Sequence, residues 1–322
     1  MINPTSVRIE ACSICQLRCP LCPRTTGETR EVIGNGILKF NDFKKFVDDN
    51  PQIQSVEFGN FGEVFLNNEL PEILQYAYKH NITTKIDEGA NLNTVSESAI
   101  EALVKYQTSV VRCAIDGITQ KAYETYRVGG NLRQVLQNVQ KINAYKEKYK
   151  SSKPHLIFQF VVFGHNEHQI ESVIHLAKIL NMTLEFKLNF YTDLMPVIDK
   201  DHVRKYLGYA DRNEYLETTG EHYKREQCYE LWGSPQINWD GKLLGCSRNF
   251  WGIYAENVFE SGFQSGINNE LMTYTRKMLM GEQPIRENIP CKNCGVYKSM
   301  ASTKNWITKE ELLTHISFQE IS

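Results

Sequence analysis

The sequence predicts an α/β fold in which a parallel sheet is covered by helices and followed by a small cysteine-bearing unit. Three observations carry that expectation. From residue 6 to about 190, short apolar runs alternate with longer amphipathic stretches. After about residue 200 the alternation stops and hairpin cues replace it. Eight of the nine cysteines fall into two groups of four, over 12–22 and 228–294.

The elements follow in order. Residues 7–10 read as a strand leading into the first cysteine loop, and 55–58 as a second strand closed by a turn at Gly59 and Asn60. Residues 67–80 have helical spacing at Leu70, Ile73, Leu74 and Ala77. A third strand at 83–86 precedes a helix over 96–106, and a fourth at 109–115 precedes a helix over 132–146. A fifth strand at 156–163 leads to a helix over 167–180, and a sixth strand covers 184–189. Six such units fall short of the eight of a closed barrel, so a partial barrel and a doubly wound sheet both fit.

Residues 200–227 are polar, rich in Tyr, Glu and Arg, and read as a connecting helical segment. Asp240 and Gly241 stand between the runs 235–239 and 242–244, a strong short hairpin cue. Residues 309–322 read as a terminal helix. These breaks suggest a first domain over 1–205, a connector over 206–227 and a cysteine-bearing unit with its helix over 228–322.

Composition bounds the partners. The chain has 322 residues, 41% hydrophobic and 23% charged, enough apolar material for a substantial core. Its 36 basic and 38 acidic side chains nearly cancel, which argues against nucleic acid or an anionic membrane as a bulk partner. Residues 1–6 lack the basic and apolar regions of a signal peptide, and no apolar run approaches a membrane span. A cytoplasmic, reducing location follows as the expectation. There, nine cysteines point to metal or redox chemistry before disulfides.

Cys15, Cys19 and Cys22 have the spacing C-x3-C-x2-C. Three thiolates on one short loop suit a soft metal or an iron–sulfur cluster. A closed zinc site would need a fourth ligand, which Cys12 could supply. Three ligands on a four-iron cluster would leave one iron open to a reactive molecule.

This loop, placed just after a first strand, resembles that of the radical S-adenosylmethionine (SAM) superfamily. Later segments resemble the family in the same order. Gly59-Asn60-Phe61-Gly62-Glu63-Val64 stands where the family has its GGEP-like motif, with Phe61 and Val64 departing from the usual Gly and Pro. Asp87-Glu88-Gly89 stands at a Thr-Asn-Gly position, and Ala114-Ile115-Asp116-Gly117 at a Ser-Ile-Asp-Gly position. Tyr126-Arg127-Val128-Gly129-Gly130 resembles the Tyr-Arg-x-Gly-Gly run, and Asn166 follows the fifth strand as in the family. The resemblance implies a partial (β/α)6 TIM-like barrel and a [4Fe–4S] cluster on Cys15, Cys19 and Cys22. It implies SAM binding by Gly62, Glu63, Glu88, Arg127 and Asn166. In the family the cluster cleaves SAM reductively, and the 5′-deoxyadenosyl radical removes a substrate hydrogen. A reductant such as flavodoxin or ferredoxin is implied with it.

Cys228, Cys246, Cys291 and Cys294 form C-x17-C-x44-C-x2-C, which suits zinc or [4Fe–4S]. The residues Trp232, Pro235, Ile237, Asn238, Trp239, Asp240, Gly241 and Cys246 resemble the hairpin of SPASM and twitch domains. Full SPASM domains carry seven cysteines and two clusters. Four cysteines resemble the one-cluster twitch type, a hairpin plus helix, and imply a second, fully ligated [4Fe–4S] cluster.

Two thiols remain. Strand alternation turns Cys113 toward the helices if Ala114 and Asp116 face inward. Cys12 lies close to the cluster loop and is the better candidate hydrogen donor, with Cys113 behind it. The resemblance therefore implies oxidation of a small polar substrate, such as a sugar or aminocyclitol, with the second cluster as electron acceptor. The alternatives are a radical epimerase using a thiol donor, and a maturase acting on a ribosomal peptide. The first strand begins near residue 6, so no N-terminal peptide-recognition domain is read before it, which favours the small molecule.

Overall fold

The computed structural model describes residues 1–189, 193–316 and 318–320. Its nine strands are β1 (Ile2–Pro4), β2 (Ser6–Ile9), β3 (Ser55–Phe58), β4 (Thr83–Ala90), β5 (Val110–Ala114), β6 (His155–Val162), β7 (Thr183–Leu188), β8 (Gln236–Ile237) and β9 (Phe318–Glu320). Among the described residues, seven of them form one sheet in the order β7-β6-β5-β4-β3-β2-β8, with every pair parallel. Strands β2 to β7 lie in sequence order, each reached by a helical crossover, as βαβ units require. The sheet is open, so the partial barrel holds and the doubly wound alternative, whose strand order reverses, does not.

The strands lie within a few residues of their expected positions: β2, β3 and β7 alternate apolar with polar residues, and β5 and β6 carry longer apolar runs. Polar caps delimit the helices. Ser96 accepts from the Ala99 amide at 3.1 Å to start Glu97–Lys105, and Asn131 accepts from Gln134 at 3.1 Å to start Leu132–Tyr149. The first crossover is a helix at Phe40–Asp49, which buries Phe43, Phe46 and Val47. The sequence reading passed over it.

The C-terminal part joins the sheet rather than standing beside it. Its hairpin closes with the Asn238 amide donating to Lys242 O at 2.8 Å, and Ile237 bridges Leu243. Strand β8 then adds to β2, pairing Arg8 with Gln236 and Ile9 with Ile237. The expected terminal helix is shorter than 309–322. It spans Lys309–His315, starts in a capping box at Thr308 and Glu311, and gives way to β9, which pairs antiparallel with β1. Residues 317, 321 and 322 of that expectation lie outside the described residues. One continuous apolar core runs from Ile2 to Leu312. A second, smaller cluster of Leu17, Cys19, Leu21, Tyr126, Val161 and Phe163 sits where the cysteine loop crosses the end of the sheet. No helix among the described residues is long and apolar enough to cross a membrane.

Candidate active site and cysteine centres

The first cysteine loop leaves the carboxyl end of β2, the end at which parallel α/β sheets place their sites. Its approach is held by backbone pairing. Cys12 bridges Ile37, the Ser13 amide donates to Gly36 O at 3.0 Å, and Leu38 donates to Ala11 O at 3.0 Å. The Arg24 guanidinium bonds Ser13 O, and the Arg18 amide donates to Val128 O at 3.0 Å. Leu17 and Leu21 point into the small apolar cluster, which turns the loop's thiols toward one place.

Cys15, Cys19 and Cys22 line a common cavity of about 310 Å³. Burial pushes the Cys15 thiol up to about 12, and Glu63, Cys19 and Cys22 push it the same way. Burial also raises Cys19, against the Arg127 guanidinium. Asn91 Nδ2 lies 3.6 Å from Cys15 Sγ, and Arg127 Nη1 lies 3.7 Å from Cys19 Sγ. Those donors face sulfur, where thiolate ligands of a cluster take hydrogen bonds.

The loop after β3 forms the cavity's next wall. The buried Glu10 carboxylate accepts from the amides of Phe61 at 2.8 Å and Gly62 at 3.4 Å. Burial holds Glu10 up at about 7 despite those bonds. Gly62 packs directly on the cysteine loop: a Cβ there would lie 2.0 Å from Cys12 O. Glu63 lines the cavity, but its carboxylate is engaged with the amides of Asn91 at 2.7 Å and Phe65 at 3.4 Å. It too is raised by burial to about 7. Its own amide donates to Ile14 O at 2.8 Å, so backbone and side chain of Glu63 together tie the cysteine loop, the 63–65 turn and the segment after β4.

Glu88, on β4, lines the cavity and is ion-paired with Arg8 from β2. Arg8 also holds Glu57 at 2.8 Å and approaches Glu230 at 3.8 Å. Arg127 lines the cavity as well. Its Nε donates to Asp116 Oδ2 at 2.7 Å, and the fully buried Asp116 also accepts from the Val161 amide at 2.8 Å. Asn166 lies in the turn after β6. It is fully buried, its Nδ2 donates to Asp116 O and Val161 O at 3.0 Å each, and its Oδ1 accepts from the Phe163 amide at 2.7 Å. Its side chain closes that turn, and it is not among the residues lining the cavity.

The second thiol set is gathered from distant parts of the chain. Cys228 closes a 3-10 turn at Arg225–Tyr229, Cys246 follows the hairpin, and Cys294 caps the helix Gly295–Thr303 with its amide donating to Cys291 O at 3.0 Å. Gly245, at φ +83, turns the chain so that Cys246 joins the others. Burial and mutual repulsion among the four raise Cys228 and Cys246 well above an ordinary thiol. Tyr254 Oη stands 3.7 Å from Cys291 Sγ. Among the described residues no three His, Cys, Asp or Glu side chains close on a single ion. The fit to iron–sulfur ligation therefore rests on donor chemistry. Three thiols share one cavity, four stand close enough to act on one another's charge, and none is in a disulfide.

The two regions are bound together. Asn60 Nδ2 donates to Ser247 O at 2.8 Å, and Glu230, beside Arg8, accepts from the Ser247 amide and hydroxyl. Trp239 Nε1 donates to Ile33 O at 2.9 Å, its ring covering Gly36. The spare thiols lie elsewhere. Cys12 is buried with its Sγ 3.5 Å from Ile14 O, and Cys113 is buried in the core under the helices; neither lines the cavity.

Sequence reasoning missed Arg8, Glu10 and Asn91. A charged residue inside an otherwise apolar strand was the available signal for the first two. Nothing local marks Asn91, which follows β4 by one residue.

An open parallel sheet, with a three-cysteine loop at its carboxyl end and a thiol-bearing extension added to its edge, is a fold this chain shares with solved structures determined with S-adenosylmethionine bound. Among solved structures, SuiB of Streptococcus suis bound to SAM superposes with a TM-score of 0.64 at 15% identity, over 92% of this chain and 71% of that one. SuiB bound to its precursor peptide SuiA gives 0.61 at 14%, over 92% and 70%. BtrN in complex with SAM and 2-DOIA gives 0.51 at 14%, over 91% and 93%. No family model and no curated protein matches the sequence.

Proposed function

We propose that this chain is a radical SAM enzyme with two iron–sulfur centres, one on Cys15, Cys19 and Cys22 and one on Cys228, Cys246, Cys291 and Cys294. The observation that carries the reading is the seating of the three-thiol loop. It opens at the carboxyl end of β2 into a cavity of about 310 Å³ that also exposes Glu88 and Arg127. When bound, the first centre supplies the electron that cleaves SAM to a 5′-deoxyadenosyl radical, and the second supplies an acceptor for an electron from the oxidised substrate.

The chain's residues have distinct tasks. Glu10 and Glu63 hold the 60–63 loop and the cysteine loop in register through backbone amides. Backbone at Gly62, with the wall formed by Glu63, Glu88 and Arg127, is the surface offered to SAM. Arg127 and Asn91 donate toward the thiols. The domains are 1–205 for the barrel, 206–227 for the connector and 228–322 for the twitch-type unit. The protein works in the cytoplasm with flavodoxin or ferredoxin as reductant.

The preferred reaction is oxidation of a small polar substrate, a sugar or cyclitol. The burial of Cys12 and Cys113 outside the cavity supports it over epimerisation, which needs a thiol within reach of the substrate radical. The closer overlap with SuiB, solved with a peptide, supports a peptide substrate as the second reading.

The test is anaerobic reconstitution with iron and sulfide, followed by SAM and a reductant. About eight irons per chain and release of 5′-deoxyadenosine are expected. Zinc in place of iron, or no deoxyadenosine, overturns the proposal. Product two mass units lighter than substrate identifies oxidation, and one deuterium gained from heavy water at otherwise unchanged mass identifies epimerisation.

A further inference from the structure

A second cavity, of about 450 Å³, adjoins the first and shares with it Leu21, Pro23, Asn60, Phe61, Arg212 and Lys224. Its wall carries Arg212, His222, Lys224 and Arg248 and has no carboxylate. Lys187 faces the inner cavity beside Lys224. The two acids of the inner cavity are already committed, Glu63 to backbone amides and Glu88 to Arg8. Lys187, Lys224 and Arg248 make no ion pair with any described residue, while Arg127 and Arg8 are paired. The buried Nε of Arg248 has no hydrogen-bond partner. Arg212 is held in place, its Nε donating to Leu188 O at 3.1 Å and its guanidinium lying 4.5 Å from the centre of the Tyr223 ring.

We propose that Lys187, Arg212, Lys224 and Arg248 form a binding site for a multiply charged oxyanion of the substrate, a phosphate or a clustered carboxylate, placed over the thiol-lined cavity. Lys187 and Lys224 also feel Glu88, but that carboxylate is ion-paired with Arg8, so the cations crowded in this low-dielectric wall still repel one another, and a dianion in the space between them offsets that cost. The crowding acts on the two weakest bases of the wall. Burial, with Lys187, Arg212 and Arg248 nearby, holds Lys224 down at about 8, against the pull of Glu88. Burial and the neighbouring cations likewise hold His222 down at about 4. The cations reach the site from β7, from the helix Arg212–Thr219 and from the loops bearing Lys224 and Arg248, so only the folded chain assembles it. That the anion belongs to the substrate rests on the radical SAM reading; that an oxyanion binds there does not.

The test uses the full chain with its centres reconstituted, saturated with S-adenosylhomocysteine, and titrates pyrophosphate and, separately, citrate calorimetrically. The expected result is binding of at least one of the two at about one per chain, weakening as salt rises. Lys224→Ala and Arg248→Ala each weaken it about tenfold or more, and Lys224→Arg restores it. Lys141→Ala, on the outer helix, leaves it unchanged. Iron content and melting temperature of each variant report its folding. Absence of binding by both anions, equal binding by the Lys224→Ala and Arg248→Ala variants, or displacement of the anion by S-adenosylhomocysteine overturns the proposal. If SAM is cleaved but neither anion binds, the oxyanion site alone falls. If an anion binds with the expected variant pattern but SAM is not cleaved, the radical SAM reading falls and the oxyanion site stands.

Discussion

Arg127 Nη1 lies 3.7 Å from Cys19 Sγ, although the two residues are 108 apart in the sequence. The guanidinium reaches that position because Asp116 anchors it through Nε at 2.7 Å and Nη2 at 2.6 Å. The family resemblance implies that Arg127 binds SAM; in the folded chain Asp116 also holds its fork, and one edge faces the Cys19 thiol. Both effects make Arg127 costly to lose. Arg127→Ala leaves Asp116 buried without its cation, and breaking such a pair costs about 3–5 kcal/mol. We expect a lower melting temperature in the reconstituted protein and a more negative potential of the first centre, since donors to sulfur raise cluster potentials. Potentiometric titration and calorimetry check this; an unchanged potential removes the hydrogen bond to Cys19 from the argument.

Gly62→Ala is expected to disrupt the first centre. The added Cβ would meet Cys12 O at 2.0 Å and the Ser13 backbone at 2.6 Å, so the cysteine loop and the 60–63 loop must separate. The second set of thiols does not touch this contact. Reconstituted Gly62→Ala should therefore lose up to about four irons and SAM cleavage while retaining the other centre. A full complement of iron with wild-type cleavage counts against the packing argument.

Cys12→Ala and Cys113→Ala should both turn over, because neither thiol lines the cavity. Each removes a buried sulfur, at about 1 kcal/mol of stability. Product formation by the two variants is the measurement. A variant that still cleaves SAM and abstracts hydrogen yet releases no product would make that cysteine the hydrogen donor and favour epimerisation.

Stability should fall between about pH 4.5 and pH 7 through Glu10. Burial raises this carboxyl from 4.5 to about 7 in the folded protein. In that interval the folded state holds a proton the unfolded state has released, so stability is greatest below the unfolded value and is lost as pH rises through 7. The change is of the order of 1–3 kcal/mol. Chemical denaturation across that range measures it, and Glu10→Gln should flatten the slope. An equal slope in the variant assigns the effect to other groups.

The sequence by itself determined the local elements and the chemical inventory. Short apolar or alternating runs between amphipathic stretches placed β2 to β7 to within a few residues. Asp240-Gly241 marked the hairpin, because few dipeptides take its turn so readily. Cysteine spacing separated three loop thiols from four scattered ones. What each polar side chain does was decided only in the folded chain, where long-range partners compete for it. Asn166 stands at a family position, and only the folded chain shows that its side chain bonds three backbone groups in the turn after β6. Glu10 and Arg8 read as charges within a strand; only β3, β4 and the C-terminal segment converging on them make one a clamp for the 60–63 loop and the other a tie between Glu57, Glu88 and Glu230. Residues 187, 212, 224 and 248 carry no shared motif, and their meeting beside one cavity depends on the chain's return across the end of the sheet. Charge interactions act through space, and spacing along the chain records them only where both partners lie in one local element.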